Sequence, residues 1–211
     1  MHASQPLVES PLHRYPAAES SSAGSRVQSS CSLSDWSLLP RVGFRGSDTP
    51  EDLSSQGYQL PEQANQACWQ ADGSLLLRLS AKEFMLLAAS QRSADTIDQL
   101  EQGWQQSARR HYLLPRADSH AWLHLSGADV PQLMAKLCAI DLRAAAFAPL
   151  ALVQTSVARN TAIVVNSSQG ETPQFELLCD RATARYLCDV LVDGMAEFSG
   201  QVLAATSGWP D

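Results

Sequence analysis

A chain of 211 residues, 45% apolar and 18% charged, has the composition of a globular protein large enough to bury a core. Its net charge of −7 argues against nucleic-acid or anionic-membrane partners, because both need clustered cations to neutralise phosphate. Five cysteines with no CxxC spacing, and no apolar leader near the N-terminus, point away from a disulfide framework or zinc ribbon and toward a reducing, cytoplasmic compartment.

Residues 1–32 are rich in serine, carry no periodic apolar pattern and balance Arg14 and Arg26 against Glu9 and Glu19, so a disordered tail is expected there. The ordered body is expected over 33–200. Arg41–Arg45 reads as a strand ending at Gly46, and Ser47 or Asp48 is placed to cap a short helix around Pro50–Leu53. Leu75–Leu79 is an apolar run with the length of a buried strand. Ser80 precedes Glu83 by three residues, a capping-box spacing that predicts a helix through Phe84, Leu87 and Ala88. A second helix is predicted over 94–108, with Ile97, Leu100, Trp104 and Ala108 on one face.

Tyr112–Leu114 and Ala121–Leu125 follow as strands, the latter ending at Ser126-Gly127. Asp129 then caps a helix that turns Leu133, Leu137 and Cys138 inward. Leu150–Thr155, Thr161–Val165 and Phe175–Cys179 are predicted strands, with turn chemistry at Asn166–Gly170. Asp180 caps a last helix whose expected inner face is Tyr186, Leu187, Val190, Leu191, Met195 and Phe198. Residues 201–211 are expected to be a flexible C-terminus.

Strands dominate, with a few helices between them, which implies an α+β protein with antiparallel sheets and helices packed on one face. The chain also echoes itself. Gly46-Ser47-Asp48, ahead of the first helix, returns 81 residues later as Gly127-Ala128-Asp129. This suggests a pseudo-duplicated body with a first lobe over 33–110 and a second over 111–200.

Asp118-Ser119-His120, Leu125-Ser126-Gly127-Ala128-Asp129 and Leu133 resemble the D-x-S-H…G-x-D-A…L pattern of glycine-cleavage T-protein-like folate-binding domains. Leu39–Gly46, Leu60–Asn65, Cys138–Leu142 with Phe147, and Gln154–Arg159 together resemble the gamma subunit of heterotetrameric sarcosine oxidase, over about Leu33 to Phe198. The resemblance implies an accessory chain in a cytoplasmic complex that oxidatively demethylates sarcosine to glycine, yielding formaldehyde or methylenetetrahydrofolate and hydrogen peroxide. It places FAD, FMN, NAD and tetrahydrofolate on the alpha and beta flavoprotein subunits, with a small delta subunit completing the assembly. The alternative it leaves open is a stand-alone folate-binding or one-carbon-handling protein of the T-protein superfamily.

The residues themselves point the same way. No G-x-G-x-x-G run follows a strand, no G-x-x-x-x-G-K occurs, and no G-x-S-x-G elbow presents a serine. His120 and His124 share a strand face about 13 Å apart, too far for one metal. Cys138 lies in an apolar run that hides a thiol, and neither Asp118 nor Asp141 stands out as a positioned catalytic carboxylate. No catalytic, cofactor-binding or metal-binding residue is therefore assigned. Trp36, Arg41, Arg45 and Trp69, aromatic and guanidinium groups in loop-like or turn-flanking contexts, are the candidate interface residues.

Overall fold

The computed structural model describes residues 10–15, 30–88, 96, 97, 99, 100, 103, 104 and 110–203. In chain order the first half contains β1 (Ser32–Asp35), β2 (Arg41–Gly46), α1 (Thr49–Ser55), β3 (Gln66–Trp69), β4 (Leu75–Arg78) and β5 (Glu83–Leu87). The second contains β6 (His111–Pro115), β7 (His120–Ser126), α2 (Val130–Leu137), β8 (Leu152–Val157), β9 (Asn160–Asn166), β10 (Gln174–Asp180), α3 (Ala184–Met195) and β11 (Gln201–Val202).

These strands build two sheets in an α+β fold, ordered β3-β4-β5-β2-β6 and β8-β9-β10-β7-β1-β11. Position for position the two orders correspond, with one exchange. β1, from the start of the chain, pairs with β7 in the sheet of the second half, where β11 adds a sixth strand, and β6 ends the sheet of the first. The exchange hinges on two glycines. Gly46 (φ +155°) ends β2 so close to Arg110 O that an added Cβ would lie 2.3 Å from it, and Gly127 (φ +135°) ends β7 at the same distance from Ser30 O. Only glycine allows the backbones to approach in this way.

Alternation along each strand sorts the core into three layers. Leu75, Leu77, Met85 and Leu87 of the first sheet face Trp122, Leu152, Ile163, Val165 and Leu178 of the second, making an apolar layer between the sheets. The reverse face of the first sheet, with Val42, Phe44, Leu76, Phe84 and Leu86, packs on Leu53 of α1 and on Ile97, Leu100 and Trp104. The reverse face of the second, with Leu123, Leu125, Phe175 and Leu177, packs on Leu133 of α2 and on Leu187, Cys188 and Leu191 of α3.

Several expectations change. The helix predicted after Ser80 is strand β5. Leu79 N and Ser80 N both bond Glu83 O, closing a hairpin that overrides the capping-box spacing. The helix predicted over 94–108 lies partly outside the described residues, and those of it that are described are helical. Asp48 and Asp129 stand at the N-caps of α1 and α2 without a side-chain cap bond, and Asp48 instead accepts from Arg110 N at 3.0 Å. Asp180 caps a 3-10 turn over Arg181–Thr183, accepting from Ala182 N at 2.8 Å, and α3 begins one turn later with Thr183 at its N-cap and no side-chain cap bond. The inner stripe of α3 is Ala184, Leu187, Cys188, Leu191 and Met195, whereas Tyr186 is exposed. β1, β3 and β11 were not foreseen, and β11 occupies the start of the stretch expected to be a flexible C-terminus.

Within the serine-rich stretch, residues 10–15 form a turn against the second half. Leu12 is 5% exposed inside the core beneath α3. Ser10 Oγ donates to Asp35, and Tyr15 Oη donates to Asp189 on α3. Replacing Leu12 by alanine is expected to lower stability by about 2 kcal/mol, measured by urea denaturation. A change indistinguishable from zero would mean that the turn does not stay docked in solution.

Candidate functional site

The polar residues that break the layer between the sheets converge on one carboxylate. Glu176, at the centre of β10 and fully buried, is set opposite His124 of β7 by the antiparallel register. Its Oε2 accepts from Trp122 Nε1 at 2.6 Å. Its Oε1 pairs with His124 Nδ1 at 2.7 Å and accepts from Ser167 Oγ at 2.7 Å. Trp36, just past β1, stacks on His124 with ring centroids 4.0 Å apart and 1° between planes, and meets Trp122 edge-on at 5.4 Å. Three hydrogen-bond partners occupy both carboxyl oxygens, which is the condition for burying such a group.

A second buried charge sits where the two halves meet. Arg41, the first residue of β2, is 2% exposed. Its Nη1 donates to Ser37 O (2.9 Å) and Leu39 O (2.8 Å), and its Nη2 to Ala117 O (2.9 Å) and His120 O. Burial, together with the nearby Arg181, pulls the guanidinium down to about 10, still well above neutral pH. Alongside, Arg116 Nη2 pairs with Glu83 Oε1 at 2.7 Å.

Of the candidate interface residues, Trp36 and Arg41 are thus enclosed by the chain itself, because the β1–β2 connection folds inward and not over the surface. Arg45 stands out from β2 with its side chain 67% exposed, and Trp69 is half-buried on β3. The structure brings Trp36 to His124, and Trp69 packs at the margin of the same layer between the sheets. Glu176 and Ser167 were missed. The available signal was a single carboxylate inside the apolar run Phe175–Cys179.

The remaining reactive groups have quiet settings. His120 Nδ1 lies 2.9 Å from Ser119 Oγ. Burial, then Arg116 and Arg41, press the imidazole down to about 4 against the opposing pull of Asp180. Burial raises the Cys31 and Cys179 thiols to about 12 and pushes Cys188 up as well, which keeps them protonated. Cys138 is buried after α2. Asp118 is exposed, and Asp141 is an exposed carboxylate that two hydrogen bonds from the Arg143 side chain and one from its backbone hold down at about 2. Among the described residues no group of three or more His, Cys, Asp or Glu is arranged to hold a metal, and no helix is long and apolar enough to cross a membrane.

The lowered His120 gives a pH dependence with a definite sign. Between about 6.5 and 4 the unfolded chain binds the proton and the native state does not, so this group's share of the stability is present above 6.5 and is lost as pH falls toward 4. Replacing His120 by glutamine should flatten that part of the curve by about 1 kcal/mol, allowing for solvent around a ring that is not fully enclosed. Parallel urea titrations at pH 7 and pH 4.5 check it, and equal slopes in both proteins would refute it.

Two cavities are described, one of about 170 Å³ bordered by Ser10, His13, Arg181 and Arg185, and one of about 100 Å³ between Leu142, Phe147 and Phe175. Glu176 borders neither. Over 92% of its length the chain superposes on 97% of a chain of heterotetrameric sarcosine oxidase from Corynebacterium sp. U-96 in complex with pyrrole 2-carboxylate, with a TM-score of 0.71 and 21% identity. The fold is that of a sarcosine oxidase chain. The glycine cleavage system aminomethyltransferase T from Bartonella henselae also matches, with a TM-score of 0.63 and 18% identity over 83% of this chain and 48% of that one. Both matches agree with the sarcosine oxidase and T-protein resemblance read from the residues. No family model matches the sequence, and no curated protein matches it in sequence.

Proposed function

We propose that this chain is a non-catalytic gamma subunit of a heterotetrameric sarcosine oxidase, built from two diverged copies of one β-rich unit. The observation that carries the reading is the superposition along nearly the whole of both chains, 92% of this one and 97% of the other. The matched strand orders, the paired glycines at 46 and 127 and the paired helix starts at Asp48 and Asp129 support the duplication. The flavins, nicotinamide dinucleotide and folate of the reaction belong, on this reading, to the alpha and beta partners. A small delta chain completes the complex in the cytoplasm.

The T-protein likeness makes tetrahydrofolate the cofactor to test against this chain's own residues. A pteridine would need a carboxylate facing an open cavity, and sites for such ligands commonly exceed about 300 Å³. Glu176 is enclosed and already bonded to three partners, so the residues present do not fit the group in this arrangement. The stand-alone folate protein is therefore the second reading, favoured only by the aminomethyltransferase fold.

Co-expression with the large flavoprotein chains separates the two. The subunit reading expects this chain to co-purify with them and expects sarcosine-dependent peroxide formation, or the yield of complex, to fall when it is omitted. Equal assembly and turnover without it would overturn that reading, and saturable tetrahydrofolate binding by the isolated chain would establish the second.

A further inference from the structure

The two sheets end differently at matching positions. On the second sheet β1 is covered along its outer edge by β11, parallel to it, with Gln201 N bonded to Cys31 O at 3.0 Å and Leu203 N to Leu33 O at 2.9 Å. On the first sheet β6 holds the corresponding place, and among the described residues no strand lies beyond it. An open edge offers a row of backbone donors and acceptors to another chain unless charge, proline or a covering segment blocks it. Pro115 ends β6, but Tyr112, Leu113 and Leu114 remain, and Tyr112 is 73% exposed.

Two exposed arginines stand beside this edge of an acidic chain. Arg45 is the cross-strand partner of Tyr112, and Arg110 directly precedes the strand with its side chain 85% exposed. Their nearest carboxylates are loosely placed, Glu83 at 3.9 Å from Arg45 and Asp48 at 3.6 Å from Arg110. Lys82, exposed, lies beside Gly46, and Arg116 also draws on Glu83. Arg45 and Arg110 are therefore the exposed cations beside β6, and Arg45 draws on a Glu83 that Arg116 already holds at 2.7 Å, on a chain whose net charge is −7.

We propose that the outer edge of β6 is a docking surface that receives an extended, acidic segment of a larger partner chain as an added strand. Main-chain hydrogen bonds supply much of the affinity, as β11 does on β1, while Arg45 and Arg110 select for acidic side chains. Tyr112 and Arg45 are the anchors, an aromatic and a guanidinium of the kinds that dominate interface energetics. This inference rests on the reading of the chain as a subunit and names the surface that reading uses.

Hydrogen exchange and affinity on the full chain test it, with the co-expressed flavoprotein chains as partner. In the isolated chain the outward amides of His111 and Leu113, which alternate with the amides that bond β2, should exchange fast and slow at least about tenfold in the complex. Tyr112→Ala, and separately Arg45→Gln with Arg110→Gln, should each weaken association by about tenfold, the arginine pair also flattening its salt dependence. Circular dichroism and thermal melting confirm that the variants fold, since all three side chains are largely exposed. Fully protected edge amides in the isolated chain would show that its own residues cover β6 and would overturn the proposal. A complex that forms with unchanged affinity in the variants would overturn it while leaving the subunit reading intact. Failure of the unaltered chain to associate would overturn both.

Discussion

Replacing Glu176 by alanine is expected to lower stability by about 3–5 kcal/mol, the cost of removing one member of a buried charged network while its partners stay in place. Trp122 Nε1 and Ser167 Oγ direct hydrogen at this carboxylate and His124 Nδ1 pairs with it, so all three lose one fully buried partner together. The loss is comparable with the whole stability of many single domains, so the variant is expected to be recovered only partly folded.

Glutamine makes the effect measurable. With its carbonyl in the place of Oε1, the histidine and serine keep an acceptor, but the amide nitrogen then faces Trp122 Nε1 donor to donor. Glu176→Gln should therefore cost about 2 kcal/mol and shift the tryptophan emission, because Trp122 and Trp36 both border the site. Urea denaturation followed by fluorescence reads both quantities. A Glu176→Ala variant within about 1 kcal/mol of the unaltered chain would show that the carboxylate does not organise the layer between the sheets.

Why this cluster escaped the sequence, when most strands did not, is a matter of range. β9 and β10 are runs of β-branched and aliphatic residues bounded by turns, and such runs declare themselves locally. The partners of Glu176 lie 9, 52 and 54 residues away and become neighbours only through strand register. β5 failed for the opposite reason. Phe84 and Leu86 face the helices while Met85 and Leu87 face the other sheet, so a strand buried on both sides has no alternation to show. With the period silent, the Ser80–Glu83 spacing pointed to a helix that cross-strand pairing with β2 and β4 overrides.

Arg41 shows how a surface reading turns inward. An arginine beside a turn is ordinarily solvated, and nothing in its neighbours marks four carbonyl oxygens as its destination, since backbone acceptors leave no trace in a sequence. Yet those carbonyls come from both connections that lead out of the exchanged strands. Ser37 and Leu39 lie between β1 and β2, while Ala117 and His120 lie at the turn into β7. One planar fork thus fixes the two crossings relative to each other, a geometry that a lysine ammonium cannot reproduce.

Arg41→Met keeps much of the aliphatic stem and strips the donors from four buried or partly buried acceptors, so a loss of about 3–5 kcal/mol is expected, with Arg41→Lys recovering only part of it. The location of the damage discriminates the staple from simple packing. If the fork holds the crossings, hydrogen exchange in Arg41→Met should accelerate in 36–40 and 116–120 together, ahead of the centres of β9 and β10, because both connections lose the same anchor. Acceleration confined to 36–40 would mean that Arg41 only completes its own turn. The exchange of β1 and β6 between sheets would then be held by Gly46, Gly127 and strand pairing alone.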